Sequence, residues 1–197
     1  VFNNRGWGNT IMKIILSFLY ISGILALGRL IPHPPNFTPI LAAAIFAPYI
    51  INDRWMAMAV PLMAMFIGDV FIGFHSYMLW VYGAIAMSTV ISKWAMQFGR
   101  KYVSLAIMTL LSSVLFYIVT NFAVWIMWDY YPNTLEGLIM CYTMAIPFFQ
   151  NTILGTVVYT ALMVSLTVAL SRPFNNIYLM IVNRKGIYEQ WKSKAYR

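Results

Sequence analysis

Six apolar segments, separated by charged residues and by Pro or Gly clusters, cover most of the 197 residues. They run over residues 11–28, 39–51, 55–74, 77–96, 103–128 and 152–170. A membrane-spanning helix needs about 20 mostly apolar residues, and five of the six segments meet or approach that length. Only 9% of the residues are charged, against about 25% in soluble domains. The sequence therefore excludes a water-soluble enzyme and predicts an all-α membrane protein with six transmembrane helices.

The second segment is the short one. Its 13 residues would rise roughly 20 Å as a helix, whereas the hydrocarbon layer is about 30 Å thick. We expect it to extend into its flanks, to be shielded by neighbouring helices, or to thin the bilayer locally.

The basic residues predict the orientation of the helices. With six spans and a cytoplasmic N-terminus, 12 of the 13 Lys and Arg residues fall on the cytoplasmic side, and only Arg29 lies outside. Such a bias is typical of cytoplasmic loops. It predicts cytoplasmic N- and C-termini in a multi-pass protein of a bacterial inner (cytoplasmic) membrane. It also accounts for the net charge of +8 without a nucleic-acid partner.

Two further segments complete the predicted organisation. Residues 129–150 lie between helices five and six and are apolar but interrupted by Glu136 and Pro147, which favours a helix lying in the membrane interface. Residues 1–170 are predicted to form one transmembrane domain, and residues 171–197 a basic cytoplasmic tail. The tail is expected to contact a partner or anionic headgroups, because clustered cations bind anionic lipids.

Polar side chains within the spans gather at one depth. In the predicted topology Asp69 lies roughly 8 Å and Asn121 roughly 10 Å below the outer surface, at 1.5 Å per residue. Gln150 and Asn151 begin the sixth span from the same side. A carboxylate inside a span is usually functional, so a polar cleft that opens outward is expected. Two alternatives stay open: Asp69 pairs structurally with Arg29, Asn151 or His75, and Asn121 only bonds another helix.

The connection between helices one and two, RLIPHPPNFTP at residues 29–39, contains four prolines. Proline disfavours the helix interior and makes the preceding residue extended, so a stiff extended loop is predicted. It acts either as a lid whose His33 and Asn36 face a ligand or as a rigid connector. Trp128 and Tyr130, on the same side, line the cleft or belong to an interfacial aromatic belt.

No pattern of catalytic or cofactor-binding residues occurs in the sequence. It lacks HExxH, GxSxG and phosphate-loop motifs, and no histidine lies within a span. His33 and His75 have no third ligand that would complete a metal site, and the single cysteine, Cys141, cannot form an internal disulfide. We therefore expect no enzymatic activity, no metal and no cofactor.

Pairs of small residues four positions apart allow helices to approach closely. Such pairs are Ser22 with Ala26, Ala43 with Ala47, and Ala84 with Ser88. They serve either packing within the chain or docking of another membrane subunit.

Three stretches carry a resemblance to a known family: RLIPHPPNFTPI (29–40), PLMAMFIGDVFIGFH (61–75) and TNFAVWIMWDYYPNTLEGLIMCYTMAIPFFQNTILG (120–155). They resemble an uncharacterised bacterial family of transport proteins. That family is in turn similar to the substrate-binding S component of energy-coupling factor transporters. S components are six-helix proteins that bind a vitamin or metal ion near the outer face, beneath the loop between helices one and two.

The resemblance implies a small-solute binding subunit for uptake. The implied substrate-binding residues are Asn36, Asp69, His75, Asn121, Trp125 and Asn151. The implied partners are a transmembrane coupling subunit, which docks on Ser22 and Ala26, and two ATPases. Thr156 departs from the Asp found in many relatives after NTILG. This departure and the long tail favour an alternative, a non-transporting accessory subunit of a larger respiratory or photosynthetic membrane complex.

Overall fold

A computed structural model describes residues 4–98 and 101–169 of the chain. Every regular element in these two stretches is helical, which confirms the predicted all-α class. A short 3₁₀ turn at Met96–Phe98 accompanies seven α-helices. The helices are α1 (Asn4–Leu30), α2 (Ile40–Ile50), α3 (Arg54–Ile72), α4 (Met78–Ala95), α5 (Lys101–Met127), α6 (Leu135–Met144) and α7 (Ile146–Ala169). The predicted tail lies outside the described residues.

Three of these helices, α3, α5 and α7, are long and apolar enough to cross a membrane, as expected of a membrane protein. Helix α7 begins six residues before the predicted start at Thr152. Pro147 is its second residue, a position where the missing N–H group would have no partner within the helix. The turn at Ala145 separates α6 from α7, so the proline begins a helix rather than interrupting one.

The short helix α2 is shielded by its neighbours. Residues Ile40 to Pro48 are all buried, and the helix packs against α3, α4 and α5. Its 11 residues rise only about 16 Å. Of the three expectations for this segment, shielding is the one that the structure bears out. Pro48 lies inside α2, and the Ser92 hydroxyl on α4 donates to the nearby Ile45 carbonyl at 2.7 Å.

Small and hydroxylated residues form the contact faces of α4 and α5. The buried residues of α4 recur every three or four positions: Val81, Ala84, Ile85, Ser88, Thr89, Ser92 and Ala95. Most of the buried hydroxyl groups donate to the carbonyl oxygen four residues earlier in the same helix, as the Ser88 hydroxyl does to the Ala84 carbonyl at 2.8 Å. Small side chains whose hydroxyl groups are bonded in this way let helices approach closely without an unsatisfied polar group.

Ser22 and Ala26 also serve packing within the chain. They are 0% and 1% exposed, and the Ser22 hydroxyl donates to the Val60 carbonyl of α3 at 3.3 Å. Helix α1 packs mainly on α3. In this arrangement neither residue is accessible to the coupling subunit for which the resemblance implied them.

Candidate functional site

A cavity of about 540 Å³ opens among the helix ends on one side of the bundle. The chain divides into two compact units, Val1–Thr160 and Ala161–Arg197, and all of the lining residues belong to the first. The wall contains both polar and aromatic side chains. Its polar members include Arg29, Asn36, Thr38, His75, Thr120, Asn121 and Thr152, and its aromatic members Tyr77, Phe116, Trp128, Tyr130, Tyr131 and Phe148.

A buried ion pair stands behind this wall. Arg29, near the end of α1, pairs through Nη1 with Oδ1 of Asp69 on α3 at 2.5 Å, and the same nitrogen donates to the Met65 carbonyl at 3.1 Å. The Tyr82 hydroxyl of α4 donates to Asp69 Oδ2 at 2.7 Å. The Asp69 side chain is 0% exposed and that of Arg29 15%. Pairing makes both charges tolerable in an apolar bundle.

Arg29 lines the cavity, whereas Asp69 is not among the lining residues. Gly68 leaves the space for the guanidinium, because a Cβ there would lie 2.9 Å from Nη1. The carboxylate therefore positions the cation at the wall instead of facing the cavity itself. The sequence left a structural pairing of Asp69 with Arg29 open, and this pairing is present. Asp69 contacts Arg29, which lines the cavity, but does not line the cavity itself.

His75 lies in the cavity wall, in the turn after α3. Gly73, with φ of 108°, ends α3 in a backbone conformation that side chains disfavour. The His75 ring packs on Tyr77 with centroids 4.1 Å apart. Its Nδ1 atom is buried and has no hydrogen-bond partner among the described residues. Such an atom is rare in a native structure, and it sets His75 apart from the other polar residues of the wall.

Stability is expected to depend on pH through His75. Burial lowers the pKa of its imidazole, an effect that Asp69 opposes and Arg29 reinforces. Folding therefore favours the neutral ring. This contribution is complete above the unfolded pKa of about 6.5 and is lost as the pH falls toward the lower folded pKa. Thermal unfolding of the detergent-solubilised protein should show the loss below about pH 6.5. His75→Gln should flatten the profile, and a profile that keeps its slope in this variant would show that His75 is not the source.

The proline-rich connection between α1 and α2 contributes Pro35, Asn36 and Thr38 to the cavity wall. Asn36 adopts a left-handed conformation with φ of 64°. The His33 ring lies between the carbonyl oxygens of Arg29 and Pro34, at 3.0 and 2.8 Å, so it braces the loop and is not a lining residue. Gly155 of α7 allows the loop to approach, because a Cβ there would lie 3.1 Å from the Phe37 Cα atom.

The remaining residues implied by the resemblance occupy different places. Asn121 lines the cavity, and its Nδ2 donates to the Tyr117 carbonyl at 2.8 Å, which leaves its Oδ1 and the second Nδ2 hydrogen for a ligand. Trp125 donates from Nε1 to the Pro132 carbonyl at 3.0 Å, so it holds the loop after α5. Asn151 is half-buried. Neither Trp125 nor Asn151 is a lining residue; from α7, Thr152 and Thr156 line the cavity instead.

Helix α6 closes part of the wall and is fixed on α5 by two reciprocal hydrogen bonds. The Tyr117 hydroxyl donates to the Tyr142 carbonyl at 2.6 Å, and the Tyr142 hydroxyl donates to the Ile118 carbonyl at 2.7 Å. Cys141 is buried in the wall, with Sγ 3.4 Å from the Asn121 carbonyl oxygen. Among the described residues, no group of three His, Cys, Asp or Glu side chains is placed to hold a metal ion.

Three of the six implied residues, Asn36, His75 and Asn121, thus share one cavity. Sequence reasoning missed Arg29 as a site residue, although the predicted topology singled it out as the one cation on the predicted outer side. It also missed the threonines of α5 and α7, because a threonine within an apolar helix has no distinctive sequence pattern.

A comparison with protein-family models matches residues 9–177 to a family of unknown function, DUF6580, and the chain belongs to that family. No curated protein and no solved structure matches the chain.

Proposed function

We propose that this protein is a membrane-embedded binding subunit that captures a small polar solute for uptake, as its resemblance to S components of energy-coupling factor transporters implies. The observation that carries the proposal is the 540 Å³ cavity, which is lined by the Arg29 guanidinium, the His75 imidazole and several aromatic rings. Cavities of about 300–1,000 Å³ with a few convergent polar groups are typical of small-molecule sites.

The charges of the site favour a particular kind of solute. Asp69 neutralises Arg29, so the site carries no net charge from this pair. Asp69 and Met65 both contact the Nη1 atom of Arg29, so the N–H donors on Nη2 and Nε remain for other partners. Tyr77, Trp128 and Tyr130 offer ring surfaces nearby. A solute with a planar ring and a hydrogen-bond-accepting group directed at Arg29 fits this combination best.

The proposal includes six spans, namely α1 to α5 and α7, with α6 in the membrane interface and both termini in the cytoplasm of a bacterial cell. The distribution of charge supports it. Arg54 begins α3, Lys93 lies in the last turn of α4 and Lys101 begins α5. These cations are at the helix ends opposite the cavity, which is the arrangement that cytoplasmic residues show. The cavity then opens outward.

One observation favours the alternative, an accessory subunit of a larger membrane complex that no longer binds a solute. Thr156 lies in the cavity wall where the resemblance leads us to expect Asp. Its hydroxyl donates to the Thr152 carbonyl at 2.6 Å, so it offers no free donor to a ligand. Co-purification with a coupling subunit and two ATPases supports uptake, whereas fixed stoichiometry with an electron-transfer complex supports the alternative.

A direct test is binding of a panel of water-soluble vitamins to the purified protein, read by native mass spectrometry and by thermal stabilisation. For a vitamin that binds, Asn121→Ala is expected to weaken the affinity about five-fold or more, because a lost hydrogen bond leaves a buried partner unsatisfied at a cost of about 1–3 kcal/mol. Asn151→Ala is the matched control, since Asn151 lies outside the cavity, and its affinity should stay within about two-fold. Equal losses in the two variants would contradict this assignment of the site.

A further inference from the structure

A second cavity, of about 380 Å³, lies at the other end of α3 and α4. The start of α3, the last turns of α4 and the end of α2 form its walls. Its polar and aromatic lining consists of Arg54, Trp55, Thr89, Lys93, Trp94 and Gln97. We call it the basic groove.

Two cations from different helices converge there. The Lys93 ammonium donates to the Asn52 carbonyl at 3.2 Å, two residues before Arg54, which also lines the groove. The Arg54 guanidinium lies 5.0 Å from the centre of the Trp55 ring. In the described part of the chain, neither cation is within ion-pair distance of a carboxylate. The nearby Asp53 carboxylate accepts the Met56 N–H at 2.8 Å as the N-cap of α3. Both cations of the groove therefore lack an ion-pair partner in the part of the chain that the structure describes.

Apolar surface continues from these charges along the helices. Trp55, Trp94 and Val90 are 62%, 57% and 60% exposed, and Met58 and Pro48 complete the floor. Exposed tryptophans beside cations at helix ends are characteristic of the level at which a bilayer changes from headgroups to acyl chains. A molecule that fills the groove would have an anionic end at Arg54 and Lys93 and an apolar remainder along α3 and α4.

We propose that the basic groove binds an anionic phospholipid, with the headgroup phosphate at Arg54 and Lys93 and an acyl chain along Val90 and Met58. Guanidinium and ammonium groups form charge-assisted hydrogen bonds with phosphate oxygens. Two cations without an ion-pair partner among the described residues favour a lipid with net negative charge over a zwitterionic one, whose own cationic group they would repel. The proposal needs the chain to lie in a membrane, but it does not depend on solute binding in the other cavity.

The test compares phosphatidylglycerol with phosphatidylcholine of the same acyl chains. Each lipid is titrated into the detergent-solubilised protein, and its binding is read by native mass spectrometry. Wild-type protein should prefer phosphatidylglycerol. Arg54→Gln and Lys93→Gln should each weaken phosphatidylglycerol binding about five-fold, which corresponds to roughly 1 kcal/mol per cation at a membrane surface. Binding of phosphatidylcholine should hardly change.

Lys101→Gln is the matched control, because Lys101 is an exposed cation at the start of α5 and is not a lining residue of the groove. An equal loss in that variant would overturn the site in favour of a general charge effect. Equal affinity of the wild type for the two lipids would overturn it as well. Inorganic phosphate is added as a competitor. If it displaces bound phosphatidylglycerol, the groove recognises a free anion instead of a lipid.

A second readout needs no charge variant. Phosphatidylglycerol with brominated acyl chains should quench tryptophan fluorescence more than brominated phosphatidylcholine at equal concentration, because Trp55 and Trp94 line the groove. The excess should disappear in the Trp55→Phe, Trp94→Phe double variant. An excess that persists in that variant would place the lipid elsewhere and overturn the proposal.

Discussion

Asp69→Asn is expected to lower the free energy of unfolding by about 3 kcal/mol, because removing one partner of a buried ion pair leaves the other charge uncompensated. The carboxylate is fully buried, and its two oxygens contact Arg29 and Tyr82. Asparagine keeps the shape of the side chain, so the loss reports the charge and not a void. The measurement is equilibrium unfolding of the detergent-solubilised protein. Asp53→Asn is the control, since Asp53 is an exposed N-cap and asparagine caps a helix equally well.

A double-mutant cycle with Arg29→Met identifies the partner. If the pair accounts for the loss, Arg29→Met combined with Asp69→Asn should cost much less than the sum of the single variants, because the second change removes the charge that the first left unpaired. Additive losses would show that Asp69 is stabilised by something other than Arg29. A loss in Asp69→Asn no larger than that in Asp53→Asn would mean that the pair does not stabilise the fold.

The cycle also separates stability from binding. Arg29 lines the cavity and Asp69 does not, so Asp69 affects a solute through the position of Arg29. A solute that binds the guanidinium should therefore lose affinity in both single variants. An unchanged affinity in Asp69→Asn would show that Arg29 stays in place without its carboxylate and would end the positioning role assigned to Asp69.

Most helix ends were predicted to within two residues because they are marked chemically, whereas α1 and α7 begin seven and six residues before the predicted segments. The predicted segment 39–51 and the helix Ile40–Ile50 differ by one residue at each end, since a proline and a run of polar residues bound the apolar stretch. The burial of α2 was not predictable, because a short apolar helix can thin the bilayer or be covered by neighbours, and only packing decides. Six spans and the orientation of the termini remain predictions.

For the candidate site, the sequence predicted the level of the residues along their helices but not the direction in which their side chains point. Residue counts place Asp69, Asn121 and Asn151 at one level of the bundle, since each residue adds a fixed rise. Which way a side chain points depends on the rotation of its helix, and consecutive residues differ by about 100°. Thr152 therefore lines the cavity while Asn151 does not. The pairing of Arg29 with Asp69 joins residues 40 positions apart, and only the packing of α1 on α3 determines it.

Among the glycines whose surroundings the structure describes, Gly137 is expected to be the least tolerant of a side chain. It is the third residue of α6, and its N–H donates to the Thr134 hydroxyl at 3.2 Å. A Cβ at this position would overlap the carbonyl oxygen of Pro132. That oxygen accepts hydrogen bonds from Trp125 Nε1 at 3.0 Å and from the Thr134 N–H at 2.8 Å. Because the obstacle is backbone and not a flexible side chain, the loop itself must move.

Gly137→Ala should therefore cost about 1–3 kcal/mol of stability, the range for forcing an extra methyl group into a packed site. It should also weaken solute binding, because the displaced loop carries Tyr130 and Tyr131 of the cavity wall. Gly83→Ala on α4 is the matched control. A Cβ there meets nothing within 4 Å, so the change should stabilise the helix by up to about 1 kcal/mol. Unfolding of both variants in the same detergent measures the contrast. If Gly137→Ala were as stable as Gly83→Ala, the contact between Pro132 and Gly137 would not hold the loop after α5 against α6. This contact would then not fix Tyr130 and Tyr131 in the cavity wall.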